Sequence, residues 1–318
     1  MPIYTGKKLN MINFYISENG VLIPCAERED GCWISVINPT PQEVDELIEV
    51  YGLDSGFVKS SIDEEESSRI ECEDNQTLVI VDTPVSSVDS EETRLFYTQP
   101  LGIIITEKNV FTISMQKTQL LKDAIDGNIK NLRPALKTRF VLQLLLRIAA
   151  LFLLYLKQID KISSSAEQEL HDAMKNELLM QLLALEKSLV YFSTSLKANE
   201  ATIEKIFRGR VIRLYDEDQD LLEDLLIEMK QAIEMSNIYT SIVSHMMDGF
   251  SAVISNNQNI VMWRLTILTV ILQIPNIIFA FYGINTVDLP LPYTWFPIVL
   301  TVCLTGTTAL ILLKWKNK

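Results

Sequence analysis

Thr266, Thr269, Gln273 and Asn276 follow one another at steps of 3, 4 and 3, and Ala280 and Gly283 continue the series at 4 and 3. Those steps place all six on one face of a helix. The face offers hydroxyl and amide oxygens, neutral groups that hydrogen-bond a hydrated cation and release it again, whereas carboxylates would compete for its water. The surrounding segment, Met262 to Tyr282, is otherwise apolar: 21 residues with one charge, Arg264 near its start. A helix of that length reaches roughly 31 Å, enough to cross a bilayer core. An amide in hydrocarbon is costly without a partner, so the stripe must face neighbouring helices or water. Two readings stay open: polar contacts between packed helices, or the wall of a pore.

The helix closes on Tyr282, Gly283, Ile284 and Asn285; a short loop, a second span and a lysine-rich tail follow. In this arrangement the chain resembles the CorA family of divalent-cation channels, whose first membrane helix ends in Tyr-Gly-Met-Asn. Ile284 stands where the family has methionine. Asn259, Met262 and Leu265 fall where that family places an asparagine and two apolar residues at the pore entrance. The resemblance implies a funnel-shaped homo-oligomer, pentameric, with Tyr282, Gly283 and Asn285 at a selective outer mouth. Asn259, Thr266, Thr269, Gln273, Asn276 and Ala280 would line the path, and Met262 and Leu265 would gate it by dewetting. Magnesium is the expected passenger, and no catalytic cofactor is expected. Because Ile284 departs from the family's pattern, zinc, cobalt and nickel stay open. A two-span membrane-anchored sensor or scaffold is the alternative from another class.

Regulation by the same ion is a further implication. Asp216, Glu217, Asp218, Asp220, Glu223, Asp224 and Glu228 crowd the start of a long helix. Asp224 occupies the position where the family has an acid that binds magnesium between neighbouring cytoplasmic domains, with a partner sought among Asp82, Asp89, Glu91 and Glu92. The plain alternative is a solvated helix start favoured by the macrodipole.

Charge supports this division of labour. The net charge of the 318 residues is -13, yet residues 259–318 hold one acid, Asp288, against Arg264, Lys314, Lys316 and Lys318, so the other 258 residues carry 40 acids and 24 bases. An acidic domain does not suit nucleic acid; it suits cations or simply an aqueous surface. Cys25, Cys32, Cys72 and Cys303 show no CxxC spacing, which argues against a zinc site or disulfide framework. The N-terminus lacks a signal-peptide pattern. No P-loop, metalloprotease helix or Gly-x-Ser-x-Gly turn occurs, and His171 and His245 stand alone, so an enzyme has no constellation to build on.

The elements that must position the stripe read as follows. Residues 1–134 form an α/β cytoplasmic domain with strands at Met11 to Ser17, Cys32 to Asn38, Ser68 to Glu73, Thr77 to Asp82, Thr93 to Thr98, Leu101 to Thr106 and Val110 to Ser114. A helix capped by Thr40 and opened by Pro41 follows the second. From Pro134 to Pro275 no proline intervenes, predicting a long helical region: 135–215 completes the cytoplasmic domain and 216–261 forms a stalk. Phe140 to Ile159 is apolar enough to mimic a span, but Arg147 at its centre would cost about 2.5 to 3.5 kcal/mol in a bilayer, so it is expected to be buried in protein. Lys161 to Ile206 makes a second helix. In the third, Leu222, Leu226, Met229, Ile233, Ser236, Thr240, Val243, Met247, Phe250 and Ile254 alternate steps of 4 and 3, a seam expected to meet parallel partners. Gly249 lowers local helix propensity and is expected at a close contact, with a flexure point as the alternative. The membrane part comprises 262–285, an external loop 286–295, a second span 296–313 and a basic tail 314–318. The positive-inside rule puts that tail, and with it the N-terminal domain, in the cytoplasm of a multi-pass plasma-membrane protein.

Overall fold

The computed structural model describes residues 11–18, 20–88, 94–170, 176–208, 215–284, 293 and 295–316. The chain divides into two compact units, Met1–Met247 and Asp248–Lys318.

The first unit is built on a seven-stranded sheet: β1 Ile12–Glu18, β2 Val21–Cys25, β3 Trp33–Ile37, β4 Arg69–Glu73, β5 Gln76–Val88, β6 Arg94–Ile105 and β7 Val110–Ser114. Its order is β2-β1-β3-β7-β6-β5-β4, with β3 and β7 parallel and every other pair antiparallel. Two short helices, α1 Pro41–Glu49 and α2 Ser55–Ile62, cover one face. Thr40 caps α1 in a reciprocal box with Glu43, as its hydroxyl and Pro41 foretell. Leu47, Phe57 and Val58 meet Ile34, Val36, Ile80, Ile104 and Phe111 in a dry cluster. α2 lies so close to β6 that a Cβ on Gly102 would stand 2.1 Å from Ser61 Oγ.

The helices α3 Gln119–Ile125, α4 Lys137–Leu170 and α5 Asn176–Phe207 complete the unit, together with the start of α6, Gln219–Tyr282. Trp33 packs on Phe140 of α4, its centroid 5.7 Å away, while its Nε1 donates to Thr112 Oγ1 at 2.8 Å. Phe96 meets Tyr155 of α4 and Phe192 of α5. From α5, Asn199 clamps Asp82, donating to its carbonyl and accepting from its N–H, both at 2.9 Å, and Ser188 Oγ accepts from Phe96 N.

Several expectations change. The segments 93–98 and 101–106 are one strand, β6, because Pro100 lies where β6 pairs only with β5 and its missing N–H breaks no ladder. The same tolerance admits Pro24 in the edge strand β2, which the pattern hid. The break between the two long helices comes after Leu170, not near residue 160. Of the alternating residues of α6, Leu222, Met229, Ser236 and Val243 are buried within this chain, while Leu226, Ile233, Thr240 and Met247 stay partly exposed. Ser244 there reaches Glu186 of α5 and, just upstream, Asp218 reaches Arg139 of α4. Periodicity names a buried face but not what buries it. Ile227, Ile238 and Ile242 are the apolar residues left outside. A Cβ on Gly249 would meet nothing within 4 Å, so its close contact is not found in this chain.

The second unit pairs the rest of α6 with α7, Trp295–Lys316. Tyr282 meets Phe296 at 6.4 Å, and about one turn further along each helix Ile278 and Thr301 are both only 8% exposed.

Candidate functional site

Among the described residues, three helices are long and apolar enough to cross a membrane: Lys137–Gln168, Asp216–Tyr282 and Trp295–Leu312. Their surroundings separate them. The first has 67% of its apolar window buried inside the protein, the others 6% and 11%. Within the first, Arg147 donates through Nε and Nη2 to Asp123 Oδ2 at 2.8 and 2.6 Å, and Gln143 Nε2 donates to the Lys130 carbonyl at 3.2 Å. Burial is the largest influence on the Asp123 carboxyl and pushes its pKa up. Hydrogen bonds from Arg147, Gln119 and Asn128, with the guanidinium charge, outweigh it and hold the value below the ordinary carboxylate range. α4 is thus a core helix, as its central arginine requires.

On α6 the picture is reversed. At 100° per residue, the positions of α6 covered from Ile267 onward, Ile267, Ile271, Ile274, Pro275, Ile278 and Tyr282, span an arc of about 100°. Asn259, Met262, Leu265, Thr266, Thr269, Gln273, Asn276, Ala280 and Gly283 span an arc of about 120° on the opposite side, and every one is exposed. Met262 and Leu265 leave 61% and 56% of their surface open. The candidate gate and stripe therefore share one continuous face, turned away from the chain's own second span. Gln273 and Asn276 meet no hydrogen-bond partner among the described residues. Thr266 and Thr269 donate to the Met262 and Leu265 carbonyls at 2.8 Å each, so their outward oxygens keep only acceptor character.

Tyr282 departs from its expected place. It belongs to the covered arc and packs on Phe296, so within the mouth motif it braces α6 on α7, while Gly283 falls on the open face. The Gly283 N–H ends the helix on the Phe279 carbonyl at 2.9 Å, and a Cβ there would press that same oxygen at 3.1 Å. Asn285 lies outside the described residues, as does Asp288. One residue was overlooked in the sequence: Asp248 is exposed and falls on the same face, five turns before Thr266. Continuing the stripe's 3 and 4 steps backward would have found it.

The regulatory acids are less gathered. Asp224 and Glu223 are exposed on α6, while Asp218 is buried and faces Arg139 at 3.4 Å. Asp82 is committed to α5: burial raises its pKa, and a hydrogen bond with Ser195 opposes that shift only partly. Asp89, Glu91 and Glu92 lie outside the described residues. Among the described residues, no group of three or more His, Cys, Asp or Glu side chains is arranged to hold a metal. All four cysteines are free.

A C-terminal pair of apolar helices with one polar face, following a sheet-and-helix domain in the chain, is a distinctive combination. The profile described as CorA-like Mg2+ transporter protein matches residues 28–315. The chain belongs to this family. A cobalt/magnesium transport protein CorA from Methanocaldococcus jannaschii is 27% identical over 268 residues, 81% of each chain. The solved structure of the complete CorA magnesium transporter of that organism superposes with a TM-score of 0.76 at 23% identity, covering 97% of this chain and 98% of its own. The full-length CmaX protein gives 0.70 at 16% identity, covering 99% and 100%. These two likenesses establish the CorA fold for the whole length, sheet domain, long helix and C-terminal pair together. Membership of a transporter family, rather than any missing feature, sets catalysis aside.

Proposed function

We propose that several copies of this CorA-like chain surround an aqueous path through the bilayer and conduct divalent cations inward, magnesium foremost, with five copies by resemblance. The observation that carries the reading is the exposed stripe of Thr266, Thr269, Gln273 and Asn276, set opposite the α7-covered side of α6. A two-span scaffold gives such amides no reason to share one open face, and in lipid they would be expensive. In this reading Gly283 and Asn285 form the outer mouth and Met262 and Leu265 the inner constriction. The membrane potential supplies the drive: a divalent ion gains roughly 4.6 kcal/mol on entering at -100 mV. The basic tail and the acidic domain both stand in the cytoplasm.

Flux of magnesium, cobalt, nickel and zinc into liposomes holding the purified protein tests this. Potential-driven uptake of magnesium is the expected result; uptake of none of these ions would return the chain to the scaffold class. Cobalt is the second passenger to examine, since the similar archaeal protein carries both metals in its name.

Feedback by internal magnesium is part of the proposal, with Asp224 supplying one ligand between neighbouring subunits. Bound metal would bridge like charges and favour the closed form. Replacing Asp224→Lys should leave uptake running at internal magnesium that shuts the parent. Unchanged inhibition removes this residue from the sensor.

A further inference from the structure

Two polar groups inside the second unit lack the partner that a membrane interior demands. Pro275 lies within the unbroken helix α6 and has no N–H, so the Ile271 carbonyl loses its donor four residues on. Ile271 and Pro275 both belong to the covered arc, so this carbonyl is on the α7 side and not on the polar stripe. On α7, the Thr305 hydroxyl is buried and has no hydrogen-bond partner among the described residues, whereas Thr301 and Thr307 of the same helix donate back to the Pro297 and Cys303 carbonyls. The two lie at matching depth. Counting from the Tyr282 and Phe296 contact, Thr305 is nine residues along α7, roughly 13 Å, and the Ile271 oxygen, which points up its helix toward Pro275, lies a similar distance down α6. One helix holds an acceptor without a donor, and its neighbour holds a donor without an acceptor. Each omission is costly where no bulk water can repair it.

We propose that Thr305 is a positioning residue for the ion path: when α6 bends at Pro275, its hydroxyl donates to the Ile271 carbonyl and holds the bent form. The inference rests on the transport reading above. A bend at Pro275 falls between Gln273 and Asn276 on the stripe, so it moves one amide ring relative to the other and alters the width of the path. Proline in a membrane helix is tolerated where a hydroxyl on a neighbouring helix takes up the freed group. The continuous helix seen here, with the Thr305 hydroxyl unpaired, is the state that such a bend would leave.

The test compares magnesium flux through reconstituted Thr305→Val, Thr305→Ser, Pro275→Ala and the Pro275→Ala/Thr305→Val pair, with the 13C shift of the Ile271 carbonyl as a second readout. Valine keeps the shape and removes the donor. We expect Thr305→Val to lower flux about five- to tenfold and Thr305→Ser to stay within about twofold of the parent, one hydrogen bond being worth about 1 kcal/mol. On the Pro275→Ala background, where the N–H returns, Thr305→Val should change nothing further. The Ile271 carbonyl resonance should lose its hydrogen-bonded component in Thr305→Val and keep it in Thr305→Ser. Parent-like flux in Thr305→Val, or an undiminished loss on the alanine background, overturns the proposal while leaving transport intact. If the parent itself carries no ion, the transport reading falls, and an Ile271 resonance indifferent to Thr305 then removes the hydrogen bond as well.

Discussion

α4 and the membrane part of α6 are both long enough and apolar enough to span a bilayer, yet the first is a core helix and the second is nearly bare. What distinguishes them is where their polar residues find partners. Arg147 is answered inside its own chain by Asp123, and the amide N–H of Gln143 by the Lys130 carbonyl, though the Gln143 Oε1 stays buried without a partner among the described residues. Gln273 and Asn276 meet nothing among the described residues of theirs. A polar group in an apolar helix must be satisfied somewhere, so an answered one identifies a finished core and an unanswered one identifies a surface awaiting water or another copy.

The sharpest way to break this comparison is to remove the unanswered amides. Gln273→Leu with Asn276→Leu should reduce ion uptake by about tenfold or more, as two rings of acceptors worth about 1 kcal/mol each are withdrawn. The melting of the sheet domain should not move. A double variant that conducts like its parent would mean that the open face is not the path.

The converse change lies on α4. Arg147→Met makes this helix a better membrane span by composition, yet it strands the Asp123 carboxylate, which is 3% exposed at its side chain. We expect a loss of about 3 kcal/mol in unfolding free energy, the low end for breaking a buried pair because Arg147 keeps 34% of its side chain in water. Thermal unfolding reads it directly; equal or greater stability would unseat α4 from the core.

A smaller effect refines the same contrast through pH. With its folded pKa below the ordinary carboxylate range, Asp123 contributes stability above that range and loses it as pH falls through the depressed value. In Arg147→Met the guanidinium's hydrogen bonds and charge are gone while those from Gln119 and Asn128 stay, so the carboxyl's pKa rises above the parent's and the variant loses less stability to acid. The stability gap between parent and variant should therefore narrow on acidification. A constant gap from neutral to acid pH would detach the carboxyl from the guanidinium.

Much of this architecture was legible in the residues alone. The Thr40 and Pro41 helix start, the helical run without proline and the misleading apolar segment all follow from local chemistry, because caps, prolines and central charges act over a few residues. The open face of α6 was likewise set by spacing, which also carries Asp248. What stayed hidden required knowing which surface meets which. Tyr282 sits in the mouth motif but turns to α7, because consecutive residues of a helix stand about 100° apart and Gly283 therefore faces elsewhere. The alternating face of α6 closes on α4 and α5, an outcome that periodicity leaves undecided. Pro24 and Pro100 obscured strands because tolerance of proline depends on which strand lies alongside.

The β5 and β6 hairpin runs past both of its neighbours, and this overhang would normally be an invitation to another strand. Four of its positions are disarmed. Asp82 N–H is held by Asn199, Phe96 N–H by Ser188, and Pro84 and Pro100, two and four residues on in the same registers, offer no hydrogen at all. That overhang therefore offers an added strand fewer free N–H groups than its length suggests.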